Sequence, residues 1–343
     1  MLRRGRVAGH EVEADLSVGY GVRRRIKNRA IGWLLGALAC VMATVAMAQD
    51  AGVPIRQSRD DAWWTGPMLA NGAETLPQGH MLIEPYIYDV TTPGVDAFGS
   101  RAYVLYGLTD RLTVGAIPII GYNRVSGAPN SSGIGLGDQI LQAQYRLRRF
   151  HEGSWLPTVS LMLQETVPTG RYDRLGQRPA NGMGGGAYAT TLGVNMQSYF
   201  WMPNGRILRA RLNATTTFAG RARVEGVSTY GTRGDFRGHA RAGDNFYVGA
   251  ALEYSLTTRW VLALDLTYSH NGNTWVRGYD VMPGLEPIRV SKRFGRSDAV
   301  GYAPAIEYNW SPNIGLLFGV RVIAGGNNVQ RSVTPAIALN YVR

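Results

Sequence analysis

The chain has 343 residues, with 36 Lys and Arg against 24 Asp and Glu, a net charge of +12, and one cysteine. That cysteine, Cys40, falls in an N-terminal apolar run, so the rest of the chain is excluded from disulfides, thiol catalysis and Cys-ligated metal sites. A pI near 10.0 suggests nucleic acid, but arginines spread over many segments of an exported chain weigh against it, and no nucleic-acid partner is expected.

Residues 23–29, RRRIKNR, are basic, and Ile31 to Met47 form an apolar, Ala-rich run ending at Ala46-Met47-Ala48. Basic flank, apolar stretch and small-residue site make a secretory signal peptide. Residues 1–48 are therefore read as N-terminal extension and leader, with the mature chain expected from Gln49. After its removal 28 basic and 21 acidic residues remain, a net +7. Residues 49–78 are polar and irregular, with Trp63-Trp64 and three prolines. They are read as a periplasmic N-terminal segment, with a partial plug of the following domain as the alternative.

From residue 79 to 343 the pattern alternates with a period of two, the strand signal. The first strand, about His80 to Asp89, sets Glu84, Tyr86 and Tyr88 against Met81, Ile83 and Ile87. The second and third form a hairpin, Arg101 to Tyr122, around Leu108-Thr109-Asp110-Arg111. The fourth to sixth span about 135–147, 156–166 and 187–200. The seventh, Ile207 to Phe218, alternates Leu208, Ala210, Leu212 and Ala214 with Arg209, Arg211, Asn213 and Thr215. The eighth and ninth place Glu253 and Asp265 opposite leucines, and the tenth to twelfth run through Tyr302–Tyr308, Leu316–Val322 and Val333–Tyr341. YGLTDRL at Tyr106 is echoed at Tyr145, Tyr199, Tyr254 and Tyr308, spaced 39, 54, 55 and 54 residues apart. Such a repeat fits a series of hairpins with an aromatic girdle at one interface.

Twelve strands, with long connections at about 124–133, 168–185, 221–243 and 271–295 alternating with short turns, predict an all-β, antiparallel, up-and-down transmembrane barrel of the bacterial outer membrane. A secreted β-sandwich also alternates, but its core needs bulky residues where several of these strands carry polar or small ones. By parity Glu84, Arg101, Asp138, Arg146, Arg209, Arg211, Glu253, Asp265, Glu307 and Arg321 face the lumen. They read either as a charged channel lining or as ion pairs filling the barrel, since twelve strands fall between filled and open barrels. The expected surroundings are outer-membrane lipid, lipopolysaccharide and the barrel-assembly machinery. The five arginines at 221–243 suit either lipopolysaccharide contact or a solvated loop.

WWTGPMLANGAETLPQGHMLIEPYIY (Trp63 to Tyr88), YGLTDRLTVGAIP, GIGLGDQILQAQYRL (Gly133 to Leu147) and VPTGRYD (Val167 to Asp173) resemble the MetA-pathway phenol-degradation family of outer-membrane proteins. The resemblance implies a transporter and no cofactor or binding residue. The chain departs from the usual aromatic ending of such barrels, closing on Tyr341-Val342-Arg343. The expected function is an outer-membrane channel for small, aromatic or hydrophobic molecules. Alternatives are a non-conducting structural or adhesive barrel, and a lipid-modifying enzyme. For the enzyme, Ser269-His270-Asn271-Gly272 is suggestive, but neighbours in a strand face opposite ways, and a nucleophile needs its base within reach. No enzyme is expected. The four histidines of the expected mature chain (His80, His151, His239, His270) are scattered and lack metal-ligand spacing.

Overall fold

A computed structural model describes residues 54–343; the expected leader and its cleavage site at Gln49 lie outside the described residues. Eighteen strands carry the chain: β1 (Met81–Thr92), β2 (Val95–Thr109), β3 (Leu112–Ile117), β4 (Ile119–Val125), β5 (Gly135–Leu136), β6 (Gln139–Arg148), β7 (Thr158–Val167), β8 (Ala189–Trp201), β9 (Ile207–Ala219), β10 (Arg221–Glu225), β11 (Phe236–Arg241), β12 (Asn245–Ser255), β13 (Trp260–Asn271), β14 (Thr274–Asp280), β15 (Ile288–Phe294), β16 (Ser297–Ser311), β17 (Ile314–Asn327) and β18 (Ser332–Val342). Each barrel strand pairs antiparallel with its neighbours, and β1 pairs with both β2 and β18, which closes the sheet. Closure leaves no edge to be satisfied by lipid.

The barrel has twelve crossings because β3 with β4, and β5 with β6, are each one strand with an interruption. Pro118, which has no N–H, separates β3 from β4. The Gln139 amide fills the gap: its Oε1 accepts from Ile119 N at 3.0 Å, and its Nε2 donates to the carbonyls of Ile119 and Gly137. On the other edge Ala102 N still donates to Pro118 O, so the register with β2 runs through unbroken.

The two faces separate cleanly. In β9, Leu212 is 46% exposed while Arg209, Arg211 and Asn213 are 7, 9 and 2% exposed. An outward leucine belongs to the lipid-facing band, and an inward polar residue to the lumen. Arg in place of Leu212 or Leu264 should therefore cost about 2–4 kcal/mol at the bilayer midplane, whereas Arg in place of the inward Thr215 should be tolerated. Urea unfolding in lipid vesicles measures the difference; equal costs at both kinds of site would contradict the assigned faces.

At the short-turn end of the barrel, the aromatic girdle includes Tyr106, Tyr145, Phe200, Trp260, Tyr308 and Trp310, with Trp260 and Tyr308 rings 4.6 Å apart. The repeat breaks at Tyr199. That residue pairs with the inward Arg209, its hydroxyl accepts from Gln197, and Phe200 takes the lipid side. Two of the four expected long loops are themselves structured. Strands β10, β11, β14 and β15 form a second, four-stranded sheet beyond the barrel, over a core of Ala222, Val224, Phe236, Ala240 and Val276 packed by Tyr172 and Tyr230.

Candidate functional site

The segment before β1 lies within the barrel rather than beyond its rim. It meets the wall at Trp63, whose N–H donates to Thr258 O and whose carbonyl accepts from Asn309 Nδ2 at 3.1 Å. The Thr65 and Gly66 N–H groups both donate to Glu307 Oε2, at 2.7 and 3.1 Å. Leu69 and Ala70 N–H donate to the two oxygens of Asp265, at 3.3 and 2.9 Å. The chain then crosses to the opposite wall. Asn213 donates to Asn71 O, Gln144 to the carbonyls of Gly72 and Glu74, and Ser160 to Ala73 O. It leaves past Leu76, whose N–H donates to Thr113 Oγ1 at 2.8 Å, and Gln78, held by Asp110. Buried backbone groups must find partners, and from Trp63 to Gln78 the segment has no helix or ladder to supply them; inward side chains of the barrel do so.

Local chemistry makes room for it. Gly66 has φ +125°, a conformation side-chain-bearing residues rarely adopt. Gly107 and Gly315 face inward where the segment passes, and a Cβ on either would collide with Pro77 O or Thr65 Oγ1.

Beside the segment sits a buried charge cluster. Glu253 on β12 stands directly opposite Arg209 on β9. Arg209 Nε donates to Glu253 Oε2 at 2.7 Å, and its Nη2 to Oε1. Arg211, two residues on, reaches the same carboxylate with Nη2 at 3.3 Å and gives Nη1 to Ala70 O at 2.9 Å. Arg211 Nε lies 2.8 Å from Glu253 Oε2 but is not aligned for a hydrogen bond. The Arg209 guanidinium stacks 4.3 Å from the Trp64 ring. One wholly buried carboxylate thus neutralises one arginine closely, and the second arginine is shared with the plug backbone.

Two cavities flank the segment. One, of about 300 Å³, opens toward the short-turn end and includes Glu74, Glu84, Arg211 and Asn340 in its lining. The other, of about 330 Å³, lies toward the long-loop end and includes Tyr88, Arg101, Arg321 and Thr334. Met68, Leu69, Tyr86 and Tyr103 line both, so the lumen is divided where these four meet.

The ten residues read as lumen-facing therefore separate into groups. Arg209, Arg211, Glu253, Asp265 and Glu307 converge on the segment. Glu84 faces the inner cavity and accepts from Asn340 Nδ2 at 3.3 Å. Arg146 pairs with Glu74 of the segment at 2.9 Å. Arg101 and Arg321 share the outer cavity. Asp138 is a different case: its two oxygens accept from Gly170 and Gly185 N–H, at 2.9 and 2.7 Å, which ties down the 168–188 loop. Trp64, Met68, Leu69 and Glu74 escaped the sequence reading because the segment has no periodicity to give its residues a face. At the outer rim, His270 Nδ1 lies 2.7 Å from Asp298 Oδ1, which also accepts from the Tyr268 hydroxyl.

A family model described as "Putative MetA-pathway of phenol degradation" matches residues 67–281. No curated protein matches the chain. Among solved structures, an outer membrane channel from Pseudomonas putida F1 superposes with a TM-score of 0.58 at 16% identity, covering 80% of this chain and 100% of that one. The NanC porin gives 0.43 at 11% identity, covering 76% and 98%. The CymD monoaromatic hydrocarbon channel gives 0.35 at 10%, covering 78% and 88%. At such identities the likeness concerns the fold.

Proposed function

The chain belongs to this phenol-degradation family, and we propose that it is an outer-membrane channel for small molecules, aromatic ones included, whose lumen is closed by its own N-terminal segment. The observation that carries this reading is the divided lumen: two cavities that share Met68, Leu69, Tyr86 and Tyr103 in their walls. A barrel filled for stability alone needs no chamber on each side of a short crossing. Small hydrophobic contacts at the divider suit solutes with an apolar body, because apolar surface leaves water favourably and a ring stacks on tyrosine faces. The protein is assigned no catalytic step. In the one stretch resembling a His-based site, His270 is turned to Asp298, which also accepts from the Tyr268 hydroxyl.

Swelling of proteoliposomes tests the proposal. In isosmotic L-phenylalanine, vesicles carrying a folded chain that lacks residues 63–76 should swell faster than vesicles carrying the full chain or no protein. Equal rates with and without the folded shortened chain would refute the channel.

The route to the membrane follows from the leader: export, cleavage after Ala48, and insertion by the barrel-assembly machinery. The lipopolysaccharide contact is best placed on the outer sheet. Arg221 and Arg241 pair across strands there, as do Arg223, His239 and Arg277, and all are exposed. Like charges directly opposite are unfavourable on their own, and phosphate-bearing lipid would offset the repulsion. Lipopolysaccharide retained on purification should fall when Arg221, Arg223, Arg241 and Arg277 are changed to Gln; unchanged retention would remove this contact.

A further inference from the structure

Arg101 and Arg321 differ from the other arginines inside the barrel. Arg209 and Arg211 share Glu253, and Arg146 has Glu74. Among the described residues Arg101 and Arg321 pair with no carboxylate, and the buried Nε of Arg321 has no hydrogen-bond partner. They line the same outer cavity, and that lining holds no Asp or Glu. Leaving a guanidinium donor buried without an acceptor is costly. The rest of the wall joins aromatic and hydroxylated groups, Tyr86, Tyr88 and Tyr103 on β1 and β2 and Thr334 on β18, to aliphatic ones such as Leu69 and Val90.

We infer that this outer chamber is a binding site for a small aromatic carboxylate. The volume of about 330 Å³ is at the lower end of the roughly 300–1,000 Å³ of small-molecule sites, which are apolar with a few placed polar groups. A guanidinium presents parallel N–H donors that match a carboxylate. Tyrosine rings give a planar ring a stacking surface. Both parts of the ligand are thus specified by separate features of the wall. Sequence supports the asymmetry: Tyr86 stands opposite Arg101 in the β1–β2 register, and Arg321 opposite Thr334 between β17 and β18. The inner chamber is lined by Glu74 and Glu84 as well as Arg211, so an anion is held more strongly in the outer one. A solute arriving from the long-loop end therefore meets the attractive chamber first and the closed divider second. This inference rests on the channel reading for its biological purpose, but binding is measurable without transport.

Isothermal titration calorimetry of the full mature chain with benzoate, benzyl alcohol and acetate tests it. Benzoate is expected to bind, with benzyl alcohol, which lacks the charge, and acetate, which lacks the ring, each weaker by roughly tenfold or more. Comparable affinity for benzoate and benzyl alcohol in the wild-type protein would overturn the inference without any variant. The double substitution Arg101→Gln and Arg321→Gln should weaken benzoate by a similar factor and leave benzyl alcohol unchanged, with heat-modifiability on gels reporting that the barrel is folded. An unaltered benzoate affinity in that folded variant would equally overturn it. If benzoate binds but liposomes carrying the folded chain without residues 63–76 do not swell, the channel reading fails and the site stands; the converse result leaves the channel and removes the site.

Discussion

Changing Glu253 to Gln is expected to destabilise the barrel by about 3–5 kcal/mol, the cost of leaving buried charge uncompensated. Glu253 is fully buried, and its two oxygens are the only carboxylate acceptors within reach of Arg209 and Arg211 among the described residues. An amide offers one acceptor and no charge, so two guanidiniums stay in the lumen wall with only the Ala70 carbonyl and the Trp64 ring to face. Adding Arg209→Met to Glu253→Gln should recover part of the loss, because the charge most dependent on the missing carboxylate is then gone. Urea unfolding in vesicles, followed by tryptophan fluorescence, gives both values. A loss below about 1 kcal/mol for Glu253→Gln, the range of exposed pairs, would mean that water reaches this cluster freely.

The double change Asp265→Ala and Glu307→Ala should release the N-terminal segment while the barrel remains folded. Four backbone donors, from Thr65, Gly66, Leu69 and Ala70, would lose their acceptors. At about 0.5–1.5 kcal/mol net per hydrogen bond, the seat weakens by about 2–6 kcal/mol. Each 1.4 kcal/mol is tenfold, so the ratio of seated to released segment falls by at least about thirtyfold. In water the freed N–H groups are hydrated, so the released state carries no matching penalty. Intermittent conducting steps should appear in planar bilayers where the unaltered protein is quiet. A variant that migrates as a folded barrel yet stays as quiet as the parent would show that these carboxylates do not hold the plug.

The wall of this molecule was legible in its sequence, and its contents were not, for a physical reason. A strand with one lipid face and one lumen face must alternate, so Leu212 and Arg211 announce their sides through period alone. The same parity put Arg209, Arg211 and Glu253 on the lumen face, but the long connection at 221–243 leaves the register of β9 against β12, and so the pairing of Glu253 with Arg209, to the fold. Residues 63–78 obey no period. Their backbone is satisfied by side chains such as Glu307, 241 and 242 positions away from Gly66 and Thr65, and one-dimensional patterning carries no sign of such contacts. The outer sheet was missed because RARVE at β10 reads as a basic loop. Its alternation is visible only once Ala222 and Val224 are seen packed against Phe236 and Val276. Parity also misled at Asp138 and Tyr199. Asp138 lies where the barrel gives way to loops, and its carboxylate is spent on Gly170 and Gly185. Tyr199 follows the repeat in sequence, but the neighbouring Phe200 holds the lipid side.

The central claim is that the N-terminal segment closes a conducting barrel. Single-channel recording of the mature chain beside a chain lacking residues 63–76, both checked by heat-modifiability, tests it most directly. The full-length protein should be closed or rarely open and the shortened one should conduct steadily, as the two chambers become one path. Folded proteins with the same conductance, or with none in either, would contradict it.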